Sequence, residues 1–120
     1  MVELEVEYNS DNSEIISYNN ATYACENDIN DIAYDGKCFV YIKGFDGNNG
    51  YCSNVLNKPT FKDLLKIADA MIEHTEDYDH CFFEGVEIKG LTAGGIMEID
   101  LFLGSWEIWG SLNLIYEWFI

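Results

Sequence analysis

The fold is decided by residues 59–103, PTFKDLLKIADAMIEHTEDYDHCFFEGVEIKGLTAGGIMEIDLFL, which hold one helical pattern followed by two strand patterns. Apolar residues recur at the helical period from Phe61 to Ile72, as expected for a helix with one buried face. Thr60 and Asp63 have the spacing of a capping box, in which side chains bind the free backbone N–H groups of the first turn. The pattern predicts a helix from about residue 61 to residue 74.

The second part of this stretch predicts a β-hairpin. Residues 81–88 and 96–103 have strand patterns, and the glycine-rich residues 89–95 between them favour a turn. The second strand places Met97, Ile99, Leu101 and Leu103 on one face and Glu98, Asp100 and Phe102 on the other. We expect the apolar face to be buried.

Further strand patterns lie on both sides of this stretch. The most regular is residues 2–8, where apolar residues alternate with Glu3, Glu5 and Glu7, which indicates one apolar face turned inward. Other strands are expected around residues 14–18, 21–25, 37–45, 51–55 and 106–109, whereas residues 111–120 fit either a buried strand or a short helix. Strands joined by hairpins with a single helix predict an α+β fold, with the helix packed on a mainly antiparallel sheet of about six or seven strands.

Length and composition predict a single acidic α+β domain spanning residues 1–120. Hydrophobic residues make up 48% of the chain and aromatic residues 15%, enough to bury one core. The start of the chain lacks the basic and apolar pattern of a signal peptide, and no apolar stretch approaches the roughly 20 residues of a membrane helix. We therefore expect a cytoplasmic protein. The cysteines Cys25, Cys38, Cys52 and Cys81 have no C-x-x-C spacing and are expected to be free thiols.

The charge indicates a basic protein partner. The chain contains 6 lysines, no arginine and 22 acidic residues, which gives a formal net charge of −16 at pH 7. Such a charge accelerates encounter with a positive partner and suppresses binding to nucleic acid or to anionic lipid. Acidic residues dominate residues 1–36 and 67–120, whereas residues 37–66 hold most of the lysines, so we expect a polarised surface.

Two acidic clusters with tyrosines are candidates for partner contact. They are Glu26, Asp28, Asp31, Tyr34 and Asp35 in one cluster, and Glu73, Glu76, Asp77, Tyr78 and Asp79 in the other. A tyrosine ring can cover a lysine or arginine side chain while carboxylates pair with its charge. The second cluster follows the predicted helix, whose C-terminus disfavours negative charge, so its retention there indicates a use. The alternative is that both are ordinary solvated loops.

A third acidic group is the row formed by Glu3, Glu5 and Glu7. On one strand face these side chains would be spaced by about 6.7 Å, a spacing at which they could stand in for a phosphate backbone. The alternative is a solvated face, or an edge strand protected by charge from pairing with other chains.

No pattern indicates a metal, a cofactor or an enzymatic activity. His74, His80 and Cys81 lie near carboxylates but lack the paired spacing of zinc ligands. Residues Asp46–Gly50 superficially match the start of a calcium loop, but its later required residues are missing. Common hydrolase, protease, phosphate-binding and dinucleotide motifs are also missing.

The acidic stretches ENDINDIAYD (Glu26–Asp35) and EHTEDYDH (Glu73–His80), in a small acidic domain, resemble those of immunity proteins from bacterial polymorphic-toxin and contact-dependent inhibition systems. The resemblance implies an inhibitor that caps a toxin domain, frequently a basic nuclease, by shape and charge complementarity. Tyr34 and Tyr78, each with a neighbouring carboxylate, would then anchor the partner.

Two other functions remain open at this point. One is a phage-type nucleic-acid mimic that blocks a restriction, CRISPR or other DNA-binding protein, using Glu3, Glu5 and Glu7 with the second cluster as a phosphate-like array. The other is a structural or assembly subunit, including a homodimer, that associates through the apolar residues 112–120.

Overall fold

The computed structural model describes residues 4–8, 14–44 and 49–105. Over these ranges the chain forms eight β-strands and one α-helix, which confirms the predicted α+β class. The elements are β1 (Glu5–Tyr8), β2 (Glu14–Ser17), β3 (Thr22–Tyr23), β4 (Lys37–Ile42), β5 (Tyr51–Cys52), β6 (Leu56–Asn57), α1 (Phe61–Thr75), β7 (His80–Leu91) and β8 (Met97–Ser105). The elements expected at residues 106–109 and 111–120 lie outside the described residues, as do Glu3 and part of the turn at Asp46–Gly50.

The strands form one mixed sheet in the order β1-β2-β3-β7-β8-β4-β5, and β6 pairs with β4. The long pair β7–β8 is the predicted hairpin, and it is antiparallel from His80↔Ser105 to Leu91↔Met97. Most other neighbours are also antiparallel, as predicted. Two neighbouring pairs are parallel. The β7–β8 hairpin lies between β3 and β4, with β7 parallel to β3 and β8 parallel to β4.

Helix α1 has the predicted start and ends one residue later than predicted. At its start the Asp63 N–H donates to Thr60 Oγ1 at 3.2 Å, and the Thr60 N–H donates to Asp63 Oδ2 at 2.9 Å, which completes the capping box. At its end the N–H of Glu76 donates to the Ile72 carbonyl at 2.8 Å. No helix in the described part of the chain has both the length and the apolar character needed to cross a membrane.

The core lies between α1 and one face of the sheet, which we call the inner face. Its buried residues include Leu64, Leu65, Ala68, Met71 and Ile72 on α1, Cys38 and Val40 on β4, Phe83 on β7, and Ile99 and Leu101 on β8. The Phe83 ring lies 5.9 Å from the Tyr23 ring and 6.4 Å from the Phe61 ring, measured between centroids. The alternation predicted for β8 is therefore correct.

The inward apolar face predicted for residues 2–8 is only partly correct. Leu4 packs against the core, but the Val6 side chain is 45% exposed. Val6 stays exposed because β1 is the outermost strand at its end of the sheet. Nothing is described for the side chains of Glu5 and Glu7.

Candidate protein-binding surfaces

The two predicted acidic clusters lie at opposite ends of α1. Residues 26–35, the first acidic loop, bind the start of the helix, where the Phe61 N–H donates to the Asp31 carbonyl at 3.0 Å. Residues 73–79, the second acidic loop, begin in the last helical turn. A 15-residue helix is about 22 Å long. The two loops therefore form separate surfaces rather than one continuous patch.

The first acidic loop is held by hydrogen bonds to its own backbone. The Tyr23 hydroxyl donates to the Asn27 carbonyl at 2.6 Å, and the Asn30 N–H donates to Asp28 Oδ1 at 2.8 Å. The second of these bonds closes the local turn that aspartate side chains favour. Asp28 is thus exposed and also fixed in position.

The remaining side chains of the first acidic loop differ in availability. Glu26 and Asp31 are exposed, and Asp35 is exposed with Oδ1 3.6 Å from the Lys58 ammonium. An ion pair this exposed contributes little to stability and leaves the carboxylate open to competition. Tyr34 is half-buried and packs against the core, so it offers less surface to a partner than an exposed ring would.

The second acidic loop is more exposed and conformationally costly. Glu73, Glu76, Asp77 and Asp79 are all exposed, and the Tyr78 side chain is 56% exposed. Glu76 ends the helix in the left-handed conformation, at a φ of 60°, where glycine is the usual residue. For a residue with a Cβ atom this conformation costs about 1 kcal/mol, in addition to the unfavourable charge at the helix C-terminus.

The histidines and the cysteine considered as zinc ligands have different neighbours. The His80 Nδ1 atom lies 3.0 Å from both oxygens of the Asp77 carboxylate, whereas the His74 ring contacts the Tyr51 ring at 5.7 Å between centroids. Cys81 is half-buried, and burial raises the pKa of its thiol. Across residues 4–8, 14–44 and 49–105, no three His, Cys, Asp or Glu side chains gather where they could hold a metal ion.

A third surface, not singled out from the sequence, is the face of the sheet opposite α1. We call it the outer face and define it by Phe39, Tyr41, Glu87, Glu98, Asp100 and Phe102. On β4 and β8 these residues alternate with the buried residues of the inner face, and Glu87 is placed with them because it pairs with Asp100. Two of the rings remain open, since Tyr41 is 40% exposed and Phe102 is 51% exposed.

The register brings rings and carboxylates together on the outer face. Phe39 on β4 lies beside Glu98 on β8, which is parallel to β4. Phe102 lies two residues after Asp100 along β8, on the same face. Glu87 lies directly opposite Asp100, and side chains in that relation have Cβ atoms about 5 Å apart, so like charges repel. Lys89 offsets part of this repulsion, with its ammonium 3.5 Å from Glu87 Oε1.

One sequence signal could have pointed to this surface. In the alternating stretch of β8, Phe102 occupies a position on the polar face, between outward-facing residues that otherwise suit water. A large exposed aromatic side chain on such a face is typical of binding surfaces.

Comparisons of the chain with family models, with curated proteins and with solved structures found no match.

Proposed function

We propose that this protein is an acidic inhibitor that binds and neutralises a basic protein, as the immunity proteins of bacterial toxin systems do. The observation that carries the proposal is the exposure of the two acidic loops. All eight of their carboxylate side chains, four in each loop, are exposed at the two ends of a single helix. This arrangement offers negative charge at both ends of the helix to a partner that approaches from either end.

The net charge supports a basic partner. At −16, the field of the protein accelerates encounter with a positive surface and slows encounter with nucleic acid or anionic lipid. Electrostatic steering sets the association rate, whereas affinity depends on a few anchors that become buried. Among the loop tyrosines, Tyr78 is the better anchor because its ring is 56% exposed.

The second acidic loop supports a functional use of its charge. Its acids follow a helix C-terminus, and Glu76 adopts a left-handed conformation that glycine would adopt without strain. A loop selected for stability alone would carry lysine and glycine at these positions. Binding of a basic partner would offset both costs.

The proposed role places the protein in the cytoplasm and includes no catalytic step, metal or cofactor. The four cysteines are free thiols, a state that a reducing compartment preserves. The partner we propose is a toxin domain, in particular a nuclease, because nucleases present basic surfaces to their substrates.

The test is affinity capture with the tagged protein in a lysate that contains the candidate toxin, washed with rising salt. We expect a single basic protein to be retained at about 0.5 M NaCl, where the screening length falls to only a few ångströms. Added in equal amount, the purified protein should then abolish the nuclease activity of the retained partner.

Release of several unrelated DNA-binding proteins at about 0.2–0.3 M NaCl would contradict the immunity role and favour a nucleic-acid mimic. A retained partner whose activity is unaffected would also contradict inhibition. A variant with Glu73→Gln and Asp79→Asn, which keeps the shape of the second loop, serves as the charge control.

A further inference from the structure

We propose that the basic partner docks on the outer face of the sheet, with lysine or arginine side chains placed against Phe39, Tyr41 and Phe102 and paired with Glu87, Glu98 and Asp100. This inference rests on the proposed function, because it names the surface that the basic partner uses. It assigns the central contact to strands rather than to the two acidic loops.

The first support is the exposure of aromatic rings on the paired strands β4 and β8. The inner face of β4 and β8 is buried under α1, with Val40 and Ile99 fully covered, whereas Tyr41 and Phe102 on the outer face stay 40% and 51% exposed. A partner that covers exposed aromatic rings on a sheet face stabilises the complex, because apolar surface is removed from water. Strands also hold side chains at more precise positions than loops do.

The second support is charge complementarity. Glu87 and Asp100 face each other across the β7–β8 pair, and Glu98 lies two residues before Asp100 on the same side of β8. Lys89 lies 3.5 Å from Glu87, which leaves two of these three carboxylates without that cation. A guanidinium or ammonium group from a partner would relieve the repulsion and form charge-assisted hydrogen bonds.

The combination of rings and carboxylates identifies the chemistry of the partner. A cation is attracted both to the face of an aromatic ring and to a carboxylate, and the outer face presents the two types of group side by side, as with Phe39 and Glu98. A second copy of this chain also carries a net charge of −16, so self-association through the acidic outer face is disfavoured. A basic protein fits both features of the surface.

The outer face is also better suited than the acidic loops to form the centre of a protein interface. In the first loop Tyr34 is half-buried, and in the second loop Tyr78 is the one tyrosine among four carboxylates. The outer face instead has two exposed rings, Tyr41 and Phe102, and the half-buried ring of Phe39 among three carboxylates, which is closer to the aromatic-rich centre of protein interfaces. The loops would then steer the partner and form the rim.

The experiment uses the full chain labelled with ¹⁵N and titrated with N-acetyl-arginine amide, a neutral-capped arginine that carries one guanidinium. We expect the amide signals of β4 and β8 to shift and to saturate together. Phe102→Ser should weaken this binding about fivefold, the loss expected for one cation–π contact. N-acetyl-glutamine amide, which lacks the cation, should give no saturable shift.

The matched control is Ile88→Ser, because Ile88 has the same exposure as Phe102, 51%, but lies opposite Ile99 on the inner face of the sheet. This variant should leave the affinity of the outer face unchanged. Saturating shifts confined to residues 26–35 and 73–79, or a loss of affinity in Ile88→Ser but not in Phe102→Ser, would overturn the docking face.

A second measurement separates this inference from the proposed function. A basic protein captured at about 0.5 M NaCl that binds Phe102→Ser as tightly as the unaltered chain would overturn the docking face and leave the inhibitor role intact. Weaker capture by Phe102→Ser, with unaltered capture by Ile88→Ser, would support both.

Discussion

The backbone N–H of Asn20 donates a hydrogen bond of 2.6 Å to Oδ1 of Asp69, across 49 residues of sequence. Asp69 lies on the buried side of α1 and is only 6% exposed, whereas Asn20 lies in the turn between β2 and β3. The turn itself is closed by the Tyr18 N–H, which donates to the Ala21 carbonyl at 2.9 Å. A carboxylate inside the helix face thus fixes the β2–β3 turn against the helix.

Asp69→Ala is expected to lower the free energy of unfolding by about 1–3 kcal/mol, because it leaves the Asn20 N–H without its acceptor in a partly buried position. Asp69→Asn should cost less, since the amide oxygen can still accept. Urea denaturation of the variants measures both effects. Glu73→Ala, an exposed acid on the same helix, is the control, and an equal loss in Glu73→Ala and Asp69→Ala would contradict the assigned role.

Thr60→Ala should lower the free energy of unfolding by about 1 kcal/mol, because the hydroxyl that accepts from the Asp63 N–H is removed. Thr60→Ser keeps an acceptor and should retain most of the stability. Thermal or urea unfolding followed by circular dichroism provides the comparison, with the exposed Lys62→Ala as the control. If the alanine and serine variants unfold at the same midpoint, the capping box does not stabilise α1.

Glu76→Gly is expected to raise the free energy of unfolding by about 0.5–1 kcal/mol, because glycine adopts the φ of 60° without a Cβ clash. Glu76→Ala removes the charge but keeps the clash, so it should gain only a few tenths of a kcal/mol. Chemical denaturation distinguishes the two variants. Under the proposed function both should associate more slowly with the partner, and an unchanged association rate would show that Glu76 takes no part in steering.

Cys25 should resist alkylation while Cys52 reacts readily. Burial is the main cause that raises the pKa of the Cys25 thiol to about 11, whereas Cys52 is exposed. At about pH 8 the half-buried Cys25 thiol stays protonated and unreactive. Mass spectrometry after brief treatment of the native protein with iodoacetamide tests this order, and equal labelling of the two cysteines would contradict it.

The same thiol predicts a pH dependence of stability. The pKa of Cys25 is raised in the folded chain from 9.0 to about 11. The contribution of this thiol to the free energy of unfolding is therefore fully present below about pH 9. As the pH rises toward about 11 the unfolded chain loses this proton first, and the free energy of unfolding falls. Cys25→Ser should flatten that part of the profile.

Local signals in the sequence predicted the parts of the fold that depend on neighbouring residues. The capping box of Thr60 and Asp63 marks the start of α1, and the alternation around Ile99 and Leu101 identifies the buried face of β8. The parallel pairings could not be predicted in this way. They join residues such as Thr22 and Phe82, whose adjacency depends on where the β7–β8 hairpin enters the sheet.

For the candidate surfaces too, the local features were predictable from the sequence, whereas the features that depend on tertiary structure were not. The exposure of the acidic loops follows from their turn-forming composition, and the charge of each loop is evident from its residues. The separation of the loops by the length of α1, the partial burial of Tyr34 and the register that sets Glu87 opposite Asp100 all depend on tertiary structure. Asp69 illustrates the limit, because its helical position is predictable but its distant partner is not.

The most direct test of the central claim is the dissociation constant of the captured basic partner, measured with its association and dissociation rates from about 0.05 to 0.5 M NaCl. If the protein is a steered, specific inhibitor, the association rate falls with salt, the dissociation rate stays nearly constant and the complex persists at the highest salt. A complex lost by about 0.3 M NaCl, with similar affinity for unrelated basic proteins, would contradict the claim.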